Sequence, residues 1–171
     1  YRRVVELVQS GAIGPIKEAH VWVNVNYSGA RFTTGTPAPK HVDWDLWLGP
    51  AAARPYSAGV HPFNWRRFWD YGTGDMGNDG VHDLDIARWG LGVETHPTLV
   101  TGYGSKLFFD DDQQFPDTYT ITCEYPSDGK IGSRRLLIYE QRIWSPYRQD
   151  AEGNSVFFYG TQGMMTLGSK G

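Results

Sequence analysis

Three side chains able to handle protons and hydroxyl groups recur at helical spacing between Asp70 and Trp89. At about 100° per residue, Asn78, His82, Asp85 and Trp89 sit at i, i+4, i+7 and i+11 and share one narrow stripe. Gly77, Gly80, Val81, Leu84, Ala87 and Leu91 form a neighbouring stripe suited to packing on a sheet, interrupted by Arg88. Asp79 and Asp83 fall away from both stripes and are expected in solvent. A carboxylate beside an imidazole fixes its tautomer and raises its basicity, which a general base needs. A plain structural helix would use the same polar residues only for capping and solvation. Gly74, Gly77 and Gly80 tip the balance toward a site, because glycine weakens a helix and marks close backbone approach.

The elements that would position this stripe follow from the rest of the chain. Its 171 residues suffice for one domain with a core, and 40% apolar and 15% aromatic residues, seven of them Trp, indicate a globular chain. A net charge of -3 with no basic run leaves no electrostatic footprint for nucleic acid. No apolar run approaches the roughly 20 residues of a membrane span. Tyr1 opens no signal pattern; the expected compartment is the cytoplasm, with an export signal upstream left open. A single cysteine, Cys123, excludes an intramolecular disulfide and a multi-cysteine zinc site, and no metal ligand set is expected. The chain begins inside a helical pattern, has no initiating methionine, and stops at 168–171 just after a strand pattern. It reads as a piece of a longer protein.

Tyr1, Val4, Val5 and Val8 predict a helix ended by Gly11. Ala19, Val21, Val23 and Val25 alternate with His20, Trp22, Asn24 and Asn26 in a strand with one apolar face. Residues 27–62 are too long for an ordinary connection, as in a functional loop. Within it Asp43 can cap a short turn carrying Trp44, Trp47 and Leu48, ended by Gly49 and Pro50. Lys40 and His41 are expected to be solvated. Trp65 and Arg66 suit either sugar binding, by stacking and hydrogen bonding, or core packing. Phe68 and Trp69 are expected in the core. After the 72–91 helix come strand patterns at 98–103, 107–109, 118–125, 136–143, 156–159 and 164–167. Asp110 to Asp112 read as a solvated charge run, and 127–129 and 160–163 as hairpin turns. The fold class is α+β: an open, mostly antiparallel sheet with helices on one face.

Four stretches in order resemble the Gfo/Idh/MocA family of oxidoreductases (glucose–fructose oxidoreductase, inositol dehydrogenase, MocA), over essentially the whole chain. Val5–Ile16 resembles the helix–turn–strand that enters the family's second domain. Asp43–Pro50 resembles an insertion of one bacterial branch, Gly72–Gly92 the glycine-rich segment with its HxxD signature, and Val156–Gly163 the late hairpin. The resemblance implies that residues 1–171 are the C-terminal substrate and oligomerisation domain. It also implies that the Rossmann domain, which binds NAD or NADP and carries a catalytic lysine, is absent from this chain. Neither a G-x-G-x-x-G stretch nor the family's Glu-Lys-Pro motif is present. By resemblance His82 is the catalytic histidine and Asp85 completes HxxD. Asn78 stands where the family often has an aspartate, and an amide can bond a hydroxyl but cannot accept a proton. Trp65, Arg66 and Asp75 are the candidate substrate-binding residues.

The leading expectation is the substrate domain of an NAD(P)-dependent oxidoreductase acting on a sugar or polyol, inactive as the fragment alone. It would form a homo-oligomer through the open sheet face, without nucleic acid or membrane partners. The alternatives are an NAD-dependent glycosidase of the wider family and a non-catalytic oligomerisation module. A metal hydrolase using Asp75, Asp79 and His82 fits less well, since Asp79 is angled away from His82 on the helix count and no second histidine is near.

Overall fold

A computed structural model describes residues 1–126, 128–130, 132–147 and 154–168. Helix α1 (Arg2–Gln9) buries Val5 and Val8, is capped at Ser10, and is followed by Gly11 at φ 84°. Strand β1 (Ile16–Asn24) then runs through the middle of the molecule. The later strands are β2 (Leu99–Ser105), β3 (Thr118–Tyr125), β4 (Arg135–Arg142), β5 (Asn154–Gly160) and β6 (Met164–Gly168). They form a six-stranded sheet in the order β2-β3-β4-β1-β5-β6. Every pairing is antiparallel except β1 with β4, where Glu18 aligns with Leu136. The chain is therefore α+β with an open, mostly antiparallel sheet, as the strand patterns predict.

The alternation of β1 decides which face is the core. Ala19, Val21 and Val23 are buried, and the same face carries Leu137 and Tyr139 of β4 and Val156 and Phe158 of β5. Helix α3 (Val81–Leu91) lies on it through Ala87 and Leu91, and α1 packs against α3. Gly90 permits the contact, because a Cβ there would sit 2.3 Å from the Phe158 ring. The opposite face is partly self-covered: the Arg142 guanidinium lies 4.4 Å from the Trp22 ring, and His20 meets the Phe157 ring at 6.5 Å.

The long excursion after β1 builds a second, smaller core of Ala30, Val60 and Phe68, with Phe32, Trp47 and Tyr71 packed on it. Its short helix α2 (Trp44–Leu48) is capped as expected, Asp43 accepting from the Leu46 N–H at 3.0 Å, and Gly49 ends it at φ 55°.

Three expectations need correction here. Residues 107–109 form no strand, because the N–H groups of Leu107, Phe108 and Phe109 all donate, at 2.9 Å each, to the carboxylate of Asp117. Three successive N–H groups converging on one side chain cannot also alternate along a ladder. The run 110–112 is not simply solvated: Asp111 accepts from Ala30 N–H and Asp112 from Phe32 N–H, both at 2.7 Å, stapling this loop to the excursion. Trp69 is 65% exposed and rests on Phe115 at 4.1 Å, whereas Phe68 is buried. The predicted turn at 127–129 joins two antiparallel strands, with Ser127 itself outside the described residues, as are residues 169–171.

Candidate functional site

The glycine-rich segment enters α3 through a π-helical turn, Met76–Gly80. Its wider winding brings backbone unusually close to neighbours. A Cβ on Gly77 would lie 1.9 Å from Thr73 Oγ1, and one on Gly80 would lie 2.3 Å from the Tyr139 hydroxyl. A π turn adds a residue to the helical repeat, so a count at α spacing loses phase across it.

The predicted stripe is split: the π turn takes Asn78 out of phase, while Asp85, on the regular part of α3 with His82, faces a different hollow. Asn78 turns inward and donates through Nδ2 to Asp75 Oδ1 at 3.3 Å. Exposed His82 lines a cleft of about 260 Å³ between α3 and the β5–β6 edge. Asp85 lines a different hollow, with Met76, Gly77, Val81 and Leu84. The carboxylates sharing the cleft with His82 are instead Asp79 and Asp83, together with the amide of Asn154. The placement of Asp79 and Asp83 in open solvent is thus corrected. The π turn swings Asp79 under Tyr27, whose hydroxyl donates to it at 2.5 Å. Asp83 lies on the side of α3 where β5 packs, accepting from Asn154 Nδ2 at 3.4 Å. The sequence alone could not say on which side of the helix the sheet would lie.

Burial, reinforced by the nearby Asp79 charge, pushes the Asp83 carboxyl up to about 6, opposed by His82 and the Asn154 bond. Tyr27 is raised well above its ordinary value by burial and by its bond to Asp79. The cleft therefore holds an imidazole, two carboxylates in different surroundings and an amide. Such a set can bind vicinal hydroxyls and move a proton.

Behind this cleft lies a closed polar knot. Asp75 is 4% exposed and accepts from Gln141, whose Oε1 accepts from the Tyr139 hydroxyl at 2.6 Å. Arg66, equally buried, approaches Asp75 at 3.8 Å, donates to the Phe63 carbonyl and lies 3.7 Å from the Phe63 ring centroid. Burial is the main cause that lifts the Asp75 carboxyl to about 6, followed by the Asp79 charge. Trp65 lies elsewhere, on an aromatic cleft with Trp47 and Tyr71. The three candidate substrate-binding residues are thus divided: Arg66 and Asp75 in the interior, Trp65 on a second surface. Among the described residues no group of three or more His, Cys, Asp and Glu is placed to hold a metal ion.

Sequence reasoning missed Tyr27, Asn154 and Gln141 as members of the site. Each comes from an element far from 70–89 in the chain, so no local spacing could have signalled them. The alternation of β4 does place Gln141 on the core face with Leu137 and Tyr139, and a buried glutamine there demanded a polar partner.

Comparison with known proteins agrees with this architecture. Residues 2–129 match the Gfo/Idh/MocA family model described as the oxidoreductase family, C-terminal alpha/beta domain. The chain belongs to that family. No curated protein matches it. Among solved structures, an oxidoreductase domain protein from Kribbella flavida is 15% identical, with TM-score 0.59, over 99% of this chain and 37% of that one. The aldose-aldose oxidoreductase from Caulobacter crescentus, complexed with glycerol, is 14% identical with TM-score 0.59, over 96% of this chain and 36% of its own. The WlbA dehydrogenase from Bordetella pertussis, in complex with NADH and UDP-GlcNAcA, is 17% identical with TM-score 0.60, over 98% and 39%. These likenesses establish the shared fold, and this chain spans little more than a third of each.

Proposed function

We propose that this chain is the substrate domain of an NAD(P)-dependent oxidoreductase that acts on a sugar, polyol or related hydroxyl compound, with His82 as the acid/base group. The observation that carries this reading is the cleft where His82 meets Asp79, Asp83 and Asn154. In it the imidazole takes the proton from, or returns it to, the reacting hydroxyl, while the carboxylates and amide hold neighbouring hydroxyls. Asp83, next to His82 on α3, lines the same cleft and is held by Asn154. Asn78 and buried Asp75 back the helix from inside, and Asp85 supports it from its other side.

The glycines at 74, 77 and 80 do not form a dinucleotide cradle. Gly74, Gly77 and Gly80 are spent on close contacts with Phe115, Thr73 and Tyr139, so their backbone is not free to cradle phosphates. The hydride chemistry of NAD or NADP would come from a domain outside this chain. The solved structures it matches, of which it covers 37% and 39%, are consistent with such a domain. The exposed Leu99 and Tyr103, on the open face of edge strand β2, support a homo-oligomer through that face.

The test is steady-state turnover of the full-length protein with NAD and with NADP across a panel of sugars and polyols. His82→Ala should lower kcat by roughly 10²–10⁴-fold, the usual range for a lost general base, with cofactor affinity unchanged. Near wild-type turnover in a folded His82→Ala protein would end the assignment. Release of a free sugar without net cofactor consumption would favour the glycosidase.

A further inference from the structure

The excursion after β1 carries a second cleft, of about 380 Å³, whose walls include Trp47, Trp65, Tyr71 and Asp70. It shares no lining residue with the cleft at His82. Its size falls in the range of small-molecule sites. The rings are held in place rather than loosely displayed. Trp44 stacks on Trp47 with centroids 4.6 Å apart and planes 12° from parallel, and its own Nε1 donates to the Arg54 carbonyl at 2.8 Å. His61 abuts Trp47 edge-on at 5.5 Å, and Tyr71 meets it at 5.5 Å. Trp65, on the wall of the same cleft, is 39% exposed. The Tyr71 hydroxyl is buried and has no hydrogen-bond partner among the described residues.

Charge decides what such a cleft would hold. Aromatic rings beside a carboxylate could form a cage for a cationic amine. Here that role is already filled: Arg54 pairs with Asp70, and its guanidinium lies 5.3 Å from the ring centroids of both Tyr71 and Phe32. The cleft is thus electrically balanced before any ligand arrives. What it leaves on offer are aromatic faces and the partly exposed carboxylate of Asp70, since the Tyr71 hydroxyl, though unpartnered among the described residues, is buried. A neutral sugar ring uses that combination, with C–H faces against indole and hydroxyls against the polar rim.

We propose that this cleft is a second, non-catalytic subsite for a neutral sugar unit, separate from the cleft at His82. The idea rests on the sugar-directed reading of the protein, but its readout is binding rather than turnover. The experiment titrates the full-length protein with cellobiose, maltose and lactose, followed by calorimetry and tryptophan fluorescence, with tetramethylammonium chloride and glucuronate as charged probes. At least one disaccharide should bind, with about tenfold weaker affinity in Trp65→Ala, which loses the stacking face, and near-native affinity in Trp65→Phe. Thermal melts of both variants exclude unfolding, and Trp65 is exposed enough for either change to be tolerated. Binding of no disaccharide, equal affinity in Trp65→Ala, or a Trp65-dependent response to tetramethylammonium instead of sugar would each overturn the proposal. A protein that binds sugar here yet oxidises none would refute the catalytic reading and leave this one standing.

Discussion

Asp117 joins the sheet to the loop that staples the excursion, and replacing it with Asn is a stringent test of how the site is held. The residue is fully buried. Its Oδ1 accepts from Leu107 N–H and the Thr118 hydroxyl, and its Oδ2 from Phe108 and Phe109 N–H, all at 2.9 Å. Asparagine keeps the shape, so no cavity term enters. Its one oxygen can serve Phe108 and Phe109, but its NH₂ then faces the part-buried Leu107 N–H, which loses its acceptor at about 1–3 kcal/mol. Two surviving bonds lose their charge assistance, at about 1 kcal/mol each. The expected destabilisation is about 3–5 kcal/mol, a large fraction of a typical domain's stability. Burial alone would raise this carboxyl, but the converging N–H groups and Thr118 win and hold it below the ordinary value. A depressed carboxyl stabilises in full above the unfolded pKa of about 4, and that contribution is lost as pH falls through the folded value. The gap between wild type and Asp117→Asn should therefore be widest at neutral pH and close in acid. Urea unfolding by tryptophan fluorescence, with amide exchange at 107–109, reads both effects. A loss below about 1 kcal/mol at pH 7, or a gap unchanged in acid, would refute the reasoning.

Asp85→Asn should lower turnover far less than His82→Ala, because Asp85 lines another hollow; comparable losses would restore Asp85 as the partner of His82. Asp83→Asn removes a carboxyl raised to about 6 by burial. A raised acid favours the folded state when protonated, so wild-type stability should fall as pH rises from about 4 to about 6, more steeply than in the variant. Melts across that window check the slope. Gly80→Ala drives a methyl into the Tyr139 hydroxyl and should cost about 1–3 kcal/mol by overpacking, measured by thermal unfolding. Tyr27→Phe removes the bond to Asp79 and should raise KM for the hydroxyl substrate while the fold persists, seen by steady-state kinetics and circular dichroism.

The fold was legible because its signals are local. Period-2 alternation in β1 and β3, the Asp43 cap and the turn at 160–163 are all written within a few residues. The site was legible only in part. Helix spacing singles out His82, but it places Asn78 beside it by an α count that the π turn at 76–80 interrupts, and it cannot tell that Asp85 lines a different hollow. The Asp117 loop was misread as a strand because Leu107, Phe108 and Phe109 carry strand-forming side chains. What overrides them is one distant carboxylate collecting their N–H groups. Aspartates 111 and 112 were read as solvated from their charge, since nothing nearby reveals that Ala30 and Phe32 would arrive needing acceptors.

The π turn ties these observations together. π winding has weaker hydrogen-bond geometry than α winding, and such turns persist mostly where something specific is gained. Here its small residues let Thr73 and Tyr139 press against the backbone, and the added residue faces Asn78 toward Asp75 while Asp79 faces Tyr27. Asp75 is in turn anchored to β4 through Gln141. The sheet core thus sets the phase of the helix start, and the helix start brings Asp79 to the cleft that His82 lines. A purely structural helix of this composition would have no need of the glycines that weaken it. Their placement at the contacts with Phe115, Thr73 and Tyr139 supports reading the segment as a positioned site.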